Sequence, residues 1–297
     1  MSELSTHTAP GHRSGFVAVV GRPNAGKSTL VNRLVGEKVS IVSDKPQTTR
    51  FPIRAVLTRP DAQLVFVDTP GIHKPRTAFG TRMNNVARDS YDGVDVVVLV
   101  VDACEKIGSG DQRLAAELGP STIVAMNKSD RANHATIAAQ LAAAAAWDFA
   151  EYFPISARTG DGVDELLEAI IALLHEGPQL YPADHVTDTA ESVWIAELVR
   201  EQLLAVTRQE LPHSIHTQVV ERDGPRIRCE ILVERESQKP MVIGKGGAVL
   251  KEVGIRARAQ LPEGTFLELH VKVEPRWQRR PDIFDRIGLD TLEGEMP

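Results

Sequence analysis

Cysteine is scarce: the chain has two, Cys104 and Cys229, far apart in sequence. That excludes a disulfide framework or a cysteine metal cluster and fits a reducing compartment. Long apolar runs are missing too. The longest strongly apolar stretch, residues 96–101 (VVVLVV), falls far short of the ~20 residues that a membrane-spanning helix needs. The first residues (MSELSTHTAPGHRSG) lack the apolar core of a secretory leader. Nor is there an excess of positive charge. Lys and Arg total 34 against 40 Asp and Glu, a net charge of −6, so a protein that coats nucleic acid by bulk charge is excluded, although a local basic face is not. Hydrophobic residues at 42% and charged residues at 25% rule out wholesale disorder. The expectation is a soluble intracellular protein, and 297 residues at ~150 per domain suggest two domains.

Residues 1–14 are polar and without periodicity, which predicts a flexible extension. From residue 15 to about 176, short apolar runs at 16–20, 64–68, 95–102, 121–127 and 151–156 alternate with stretches of helical character. Val- and Ile-rich runs of this length, separated by helices at 28–35, 112–118, 137–147 and 163–174, predict strands buried on both faces of a mostly parallel sheet. Gly177-Pro178 and Pro182 punctuate the chain, so residues 177–188 are expected to link two domains. From 189 to about 281 the order changes to helix, strand, strand, glycine loop, helix, strand, an α+β unit large enough for its own small core, followed by a polar tail over 282–297.

The chemistry-bearing residues sit at the ends of the apolar runs. Gly21-Arg22-Pro23-Asn24-Ala25-Gly26-Lys27-Ser28, followed by Thr29, lies directly after the first run and opens a helix. Glycines there let backbone N–H groups wrap phosphates, and the helix N-terminus adds a favourable dipole. Lys27 is expected to reach the β- and γ-phosphates of a nucleotide and the Ser28 hydroxyl to ligate Mg²⁺. Asp68-Thr69-Pro70-Gly71, with Ile72 next, ends the second run. A carboxylate at a strand's C-terminal end faces the ligand crevice of an open α/β sheet, so Asp68 suits a Mg²⁺-bound water and the Gly71 N–H a γ-phosphate. Asn127-Lys128-Ser129-Asp130 ends the run at 121–127. An Asp carboxylate accepts both the N1–H and the N2–H₂ of guanine, a pair of donors adenine does not offer. The Lys128 stem would cover the base, and Ser156-Ala157 would approach the guanine O6 through its backbone.

These motifs resemble, in order and spacing, those of the Ras-like GTPase superfamily. The resemblance implies a switch threonine within Gln47-Thr48-Thr49-Arg50, Thr49 being favoured over Thr48, ordered by Mg²⁺ and the γ-phosphate and released after hydrolysis. Where many relatives carry a water-positioning Gln, Ile72 follows Gly71. An aliphatic side chain cannot orient water, so either intrinsic turnover is slow, as expected here, or another group supplies the missing charge and positioning.

In the second half, Ile243-Gly244-Lys245-Gly246-Gly247 contains a Gly-x-x-Gly loop between two strands and a helix. That order resembles a type II KH domain, whose loop admits a nucleic-acid backbone beside a groove for about four bases. Residues 226–280 carry twelve Lys and Arg against seven Glu, a local surplus of positive charge. The whole arrangement, GRPNAGKST, QTTR, DTPG, NKSD and ISA followed by LVERESQKPMVIGKGG, resembles the Era family of bacterial GTPases. The resemblance spans residues 15 to about 290, with Phe51 standing where a His is common. It implies an α/β Ras-like P-loop domain followed by an α+β type II KH domain, GTP/GDP and Mg²⁺ as ligands, and hydrolysis of GTP. It also implies binding of the 3′ end of 16S rRNA, a role in 16S rRNA processing and assembly of the 30S subunit, and peripheral contact with the cell membrane. Lys27, Thr49, Gly71 and Asn24 would be catalytic, and Ile243, Gly244, Lys245, Gly246, Gly247, Lys251 and Arg256 would meet RNA. A monomer is expected, since no coiled-coil heptad is visible. The rival reading is a protein-interaction GTPase whose KH-like unit is a scaffold. Trp277, in a basic stretch, could stack on a base or pack against the final helix.

By the same resemblance, Asn24 and switch I carbonyls would hold a K⁺ where an arginine finger acts in other GTPases. Faster turnover in KCl than in equal NaCl is expected, and identical rates would refute this.

Overall fold

The structure, a computed structural model, describes residues 10–45, 48–72, 75, 77–207 and 214–280. The described residues fall into two compact units, those within 1–42, 46–75 and 82–188 and those within 43–45, 76–81 and 189–297.

In the first unit the apolar runs that become the inner strands are buried almost throughout, as strands covered on both faces require, whereas the run at 151–156 forms an edge strand that is half-buried or exposed over residues 151–154. The strands are β1 (Arg13–Gly21), β2 (Ile53–Thr58), β3 (Ala62–Asp68), β4 (Val96–Asp102), β5 (Ile123–Asn127) and β6 (Glu151–Pro154), in the order β2-β3-β1-β4-β5-β6. All pairs are parallel except β2 with β3. Because side chains alternate along a strand, Val17 and Val19 join a core with Leu30, Val31, Leu166 and Ile170 from α1 (Lys27–Val35) and α5 (Val163–Leu173). Ala18 and Val20 join the opposite core with Leu114 of α3 (Ser109–Ala115) and Ala144 of α4 (His134–Ala144). The chain crosses from one side of β1 to the other between β3 and β4. Such a switch point leaves a crevice at the C-terminal strand ends, where the motif loops lie.

Two elements were not expected. The edge strand β2 follows the switch I region, and α2 (Ala78–Asp89) follows the DTPG loop. The N-terminal extension also ends earlier than residue 14. Arg13 pairs with Ala62 in the sheet, and the buried His12 ring nitrogen Nδ1 lies 2.9 Å from the Gly177 carbonyl. Residues 177–188 are docked on the sheet: Val56 N–H donates to Val186 O at 2.8 Å, and Gln63 Oε1 accepts the Leu180 and Tyr181 N–H groups.

The second unit has a three-stranded sheet, β7 (His216–Asp223), β8 (Arg226–Val233) and β9 (Phe266–Val273), with β7–β8 antiparallel and β8–β9 parallel. Helices α6 (Glu191–Val206) and α8 (Ala248–Arg258) close its core, where Ile195, Val199, Leu203, Val253 and Ala257 meet Ile227, Cys229, Ile231 and Val233. A five-residue helix, α7 (Lys239–Ile243), precedes the glycine loop. Its brevity and Pro240 hide it from periodicity. Trp277 is fully buried and donates from Nε1 to Ser214 O at 3.0 Å, so its ring packs in the core and is not offered to a base. Residues 1–9 of the extension, Gln47, His73 and the tail over 282–297 lie outside the described residues.

Candidate functional site

The phosphate loop bends where side chains would not fit. Gly26 has φ +99°, and a Cβ there would lie 2.2 Å from Asn127 Nδ2. At Gly21, a Cβ would lie 2.4 Å from Val100 O. Lys27, the first residue of α1, is buried, and its ammonium donates to Gly21 O at 3.2 Å and Arg22 O at 3.1 Å. Burial pulls its pKa down to about 8, with the Asp68 charge opposing. Asn24 takes a left-handed φ of 62° on the same loop, and Thr29 follows Ser28 into α1.

Ser28 Oγ lies 2.9 Å from Thr49 Oγ1, which donates to Asp68 Oδ2 at 3.3 Å. The structure thus brings together Ser28, Thr49 and Asp68, and of the two switch candidates it is Thr49 that joins them. Burial pushes the Asp68 carboxyl above its usual range, while Lys27 and the Ser28 and Thr49 hydroxyls offset part of this. Asp68 Oδ1 is buried with no hydrogen-bond partner among the described residues. Two hydroxyls and a carboxylate with an unused oxygen are hard donors of the kind Mg²⁺ takes, so these residues fit the ion. Thr69 is structural: its hydroxyl donates to Val19 O at 2.9 Å. Pro70 follows, and Gly71 presses on Pro23, where a Cβ would come to 2.8 Å. Ile72 is half-buried, in contact with the core of Leu99 and Leu114.

At the base end, Asn127 Nδ2 donates to Ala25 O at 2.8 Å and its Oδ1 accepts the Ala157 N–H at 2.9 Å. One buried amide therefore ties the phosphate loop to the loop after β6. Lys128, at φ 67°, pairs with Asp102 Oδ2 at 2.5 Å. The Ser129 N–H donates to Ile155 O at 3.0 Å. Asp130 accepts from Ser156 Oγ at 2.7 Å and from Arg158 at 2.5 Å. The Ser156 hydrogen bond first, and the Arg158 charge after it, hold the Asp130 carboxyl below its usual range. An ionised carboxylate at this place could accept two donors from a guanine edge.

Sequence reading missed several partners. Asp102 ends a strand just as Asp68 does, and Arg158 directly follows Ser156-Ala157, so both carried a usable signal. Arg33, which donates to the carbonyls of Ala157 and Arg158, carried none, because only folding brings α1 to that loop.

In the second unit Gly244 has φ +75°, and a Cβ there would lie 2.5 Å from Val249 Cγ2 and 2.8 Å from its N. Gly246 and Gly247 also have positive φ, with nothing within 4 Å of an added Cβ. Lys245 is exposed in the loop, Ile243 half-buried before it, and Lys251 exposed in the first turn of α8. Arg256 lies five residues further, about 140° round the helix, and pairs with Glu252 at 2.6 Å. It is therefore not gathered with the loop.

Comparison with known proteins follows the same division. A family model described as "50S ribosome-binding GTPase" matches residues 16–128, and one described as "KH domain" matches residues 210–278. The GTPase Era of Nocardioides sp. is 44% identical over 97% of this chain and 100% of its own length. That of Streptomyces coelicolor is 46% identical over 93% and 95%, respectively. A crystal structure of Era in complex with MgGDPNP and nucleotides 1506–1542 of 16S ribosomal RNA superposes with a TM-score of 0.90 at 38% identity, covering 94% of this chain and 99% of that one. A point variant of Aquifex aeolicus Era bound to GDP·AlF₄⁻ gives 0.88 at 38% identity, covering 93% and 99%. With identity above two-fifths along nearly the whole chain, this protein belongs to the Era family of GTPases.

Proposed function

We propose that the chain is a GTP-gated RNA-binding switch, whose KH unit takes the 3′ end of 16S rRNA during maturation of the 30S subunit. The nucleotide half of the reading is carried by Asn127, which joins the loop of Lys27 to the loop beside Asp130. Phosphate and guanine contacts thereby belong to one site. In this reading Lys27 meets the β- and γ-phosphates, whose charge offsets its desolvation, and the Gly71 N–H meets the γ-phosphate. Thr49 closes over the nucleotide beside Ser28 and Asp68. Mg²⁺ at those oxygens would neutralise charge between the β- and γ-phosphates. Water attacks the γ-phosphorus, the bond to the β-phosphate oxygen breaks, and GDP and phosphate leave. Ile72, turned into the core, gives that water no hydrogen-bond partner, which supports slow turnover.

The RNA half rests on the glycine loop and its charge. Many cations of the second unit are neutralised: Arg226 by Glu268, Arg228 by Glu221, Arg256 by Glu252 and Arg280 by Glu274. Lys245 and Lys251 have no carboxylate partner among the described residues, so positive potential stays at the loop, where a phosphate backbone would approach. The relative solved with 16S rRNA nucleotides supports the choice of RNA. Among the described residues no helix is long and apolar enough to cross a membrane. The reading is of a cytoplasmic monomer, with membrane contact at most peripheral.

Two measurements follow. Asp130→Asn is expected to weaken GDP binding by about a hundredfold or more, as two charged hydrogen bonds are lost. It should also favour xanthosine diphosphate, whose C2 carbonyl can accept from the amide. Competition against a fluorescent nucleotide reads both, and unchanged guanine preference contradicts the assignment. Lys245→Asp with Gly246→Asp places carboxylates in open space at the loop. It is expected to weaken binding of a labelled single-stranded 16S 3′-end RNA by about tenfold or more at moderate salt. Equal binding by both chains would remove the loop from the RNA site, and no binding by either would favour the scaffold reading.

A further inference from the structure

Arg22 lies in the phosphate loop, yet its guanidinium is engaged outside it. Nη1 donates to Asp111 Oδ2 at 3.2 Å, and Glu105, 65% exposed, stands 3.8 Å away. Asp111 is the third residue of α3, and its side chain is only 7% exposed. The same Oδ2 accepts the Gly108 N–H at 2.9 Å. Along its stem, Arg22 lies against the backbone at Gly110, where a Cβ would come to 3.3 Å from Cδ and Nε. A side chain bonded at its tip and packed along its stem has little rotamer freedom left, so it anchors its own backbone.

That backbone holds two groups of the site. Arg22 O accepts the Lys27 ammonium at 3.1 Å and the Ala25 N–H at 3.3 Å. The next residue, Pro23, is the surface on which Gly71 rests, and the Ile72 N–H reaches Gly21 O at 3.3 Å. Lys27 and Gly71 are the groups given above to the γ-phosphate, and both are located by the segment from 21 to 23.

We propose that Asp111 is a positioning residue for GTP hydrolysis: from α3 it fixes Arg22, and through the Arg22–Pro23 backbone it sets the positions of the Lys27 ammonium and the Gly71 N–H. It touches neither nucleotide nor attacking water. The inference rests on the reading of Lys27 and Gly71 as γ-phosphate ligands.

A double-mutant cycle on the full chain tests it, with Asp111→Asn, Arg22→Gln and the pair. Asn keeps an oxygen for the Gly108 N–H, so α3 keeps its cap, and it turns the charged pair with Arg22 into a weaker bond to a neutral acceptor. Small misplacements at a reacting centre cost rate, so each single variant is expected to lower kcat about tenfold with KM for GTP changed less than about threefold. The pair is expected to be no slower than the slower single variant, because both act through one bond. Arg22→Lys, which keeps the charge, should recover part of the loss. Wild-type kcat in either single variant, losses that multiply in the pair, or a loss confined to KM would each overturn the proposal. Should Asp111→Asn not fold, Arg22→Gln against Arg22→Lys decides, since Arg22 is 42% exposed and equal rates in those two contradict it. Lys27→Ala in parallel separates the layers. If Lys27→Ala hydrolyses GTP normally, the phosphate-loop reading itself fails; if it is inactive while Asp111→Asn is normal, only this inference fails.

Discussion

The nucleotide site depends on one buried carboxamide. Asn127 donates to the phosphate loop at Ala25 and accepts from Ala157, beside the residues proposed to read the base. Gly26 gives it room, because any Cβ there would collide with its nitrogen. Removing either hydrogen bond would leave a buried polar group unsatisfied, at about 1–3 kcal/mol. The tie works only because the sheet beneath it is rigid: β4 pairs with β5 so that Asp102 stands beside Asn127, and β5 with β6 so that Met126 stands beside Pro154. Strand register thus sets the distance between the loop after β1 and the loops after β5 and β6, the two parts proposed to hold phosphate and to read the base.

Charge in this site is managed by burial. Lys27 and Asp68 are both withdrawn from water, and burial works against the charged form of each. Their mutual attraction offsets part of that cost. In the proposed reading a nucleoside triphosphate with its cation would supply the charges that both lack, so binding energy and local electrostatics would point the same way. Asp130 is the opposite case. Hydrogen bonds from Ser156 and Arg158 favour its ionised form, which a guanine-reading acceptor needs.

Much of this was legible in the sequence because function sits at the ends of strands that had to be apolar. Val96 to Val101 reads as a buried strand by composition alone, and the motif loops follow from the strand ends. Edge strand β2 escaped because IRAVLT is only partly buried, through Ile53, Ala55 and Val56. Helix α2 escaped because Gly80 and two asparagines mask it, although its buried Phe79, Met83, Val86 and Ala87 keep helical spacing. Pairings could not be read at all. Nothing in sequence joins Arg22 to Asp111, 89 residues away, or Arg33 to the loop after β6; packing of α1 and α3 against the sheet makes those choices. Trp277 shows the same limit, since its basic neighbourhood left open a base or the final helix and the fold gave the indole to Ser214.

The central claim is that nucleotide state governs RNA binding. Its most direct test is the affinity of the full chain for a labelled single-stranded RNA matching the 16S 3′ end, with GDP and with a non-hydrolysable GTP analogue. The account predicts tight binding with the analogue and binding weaker by at least about tenfold with GDP, a coupling of about 1.4 kcal/mol. Equal affinity in the two states, with nucleotide bound in both, would contradict it.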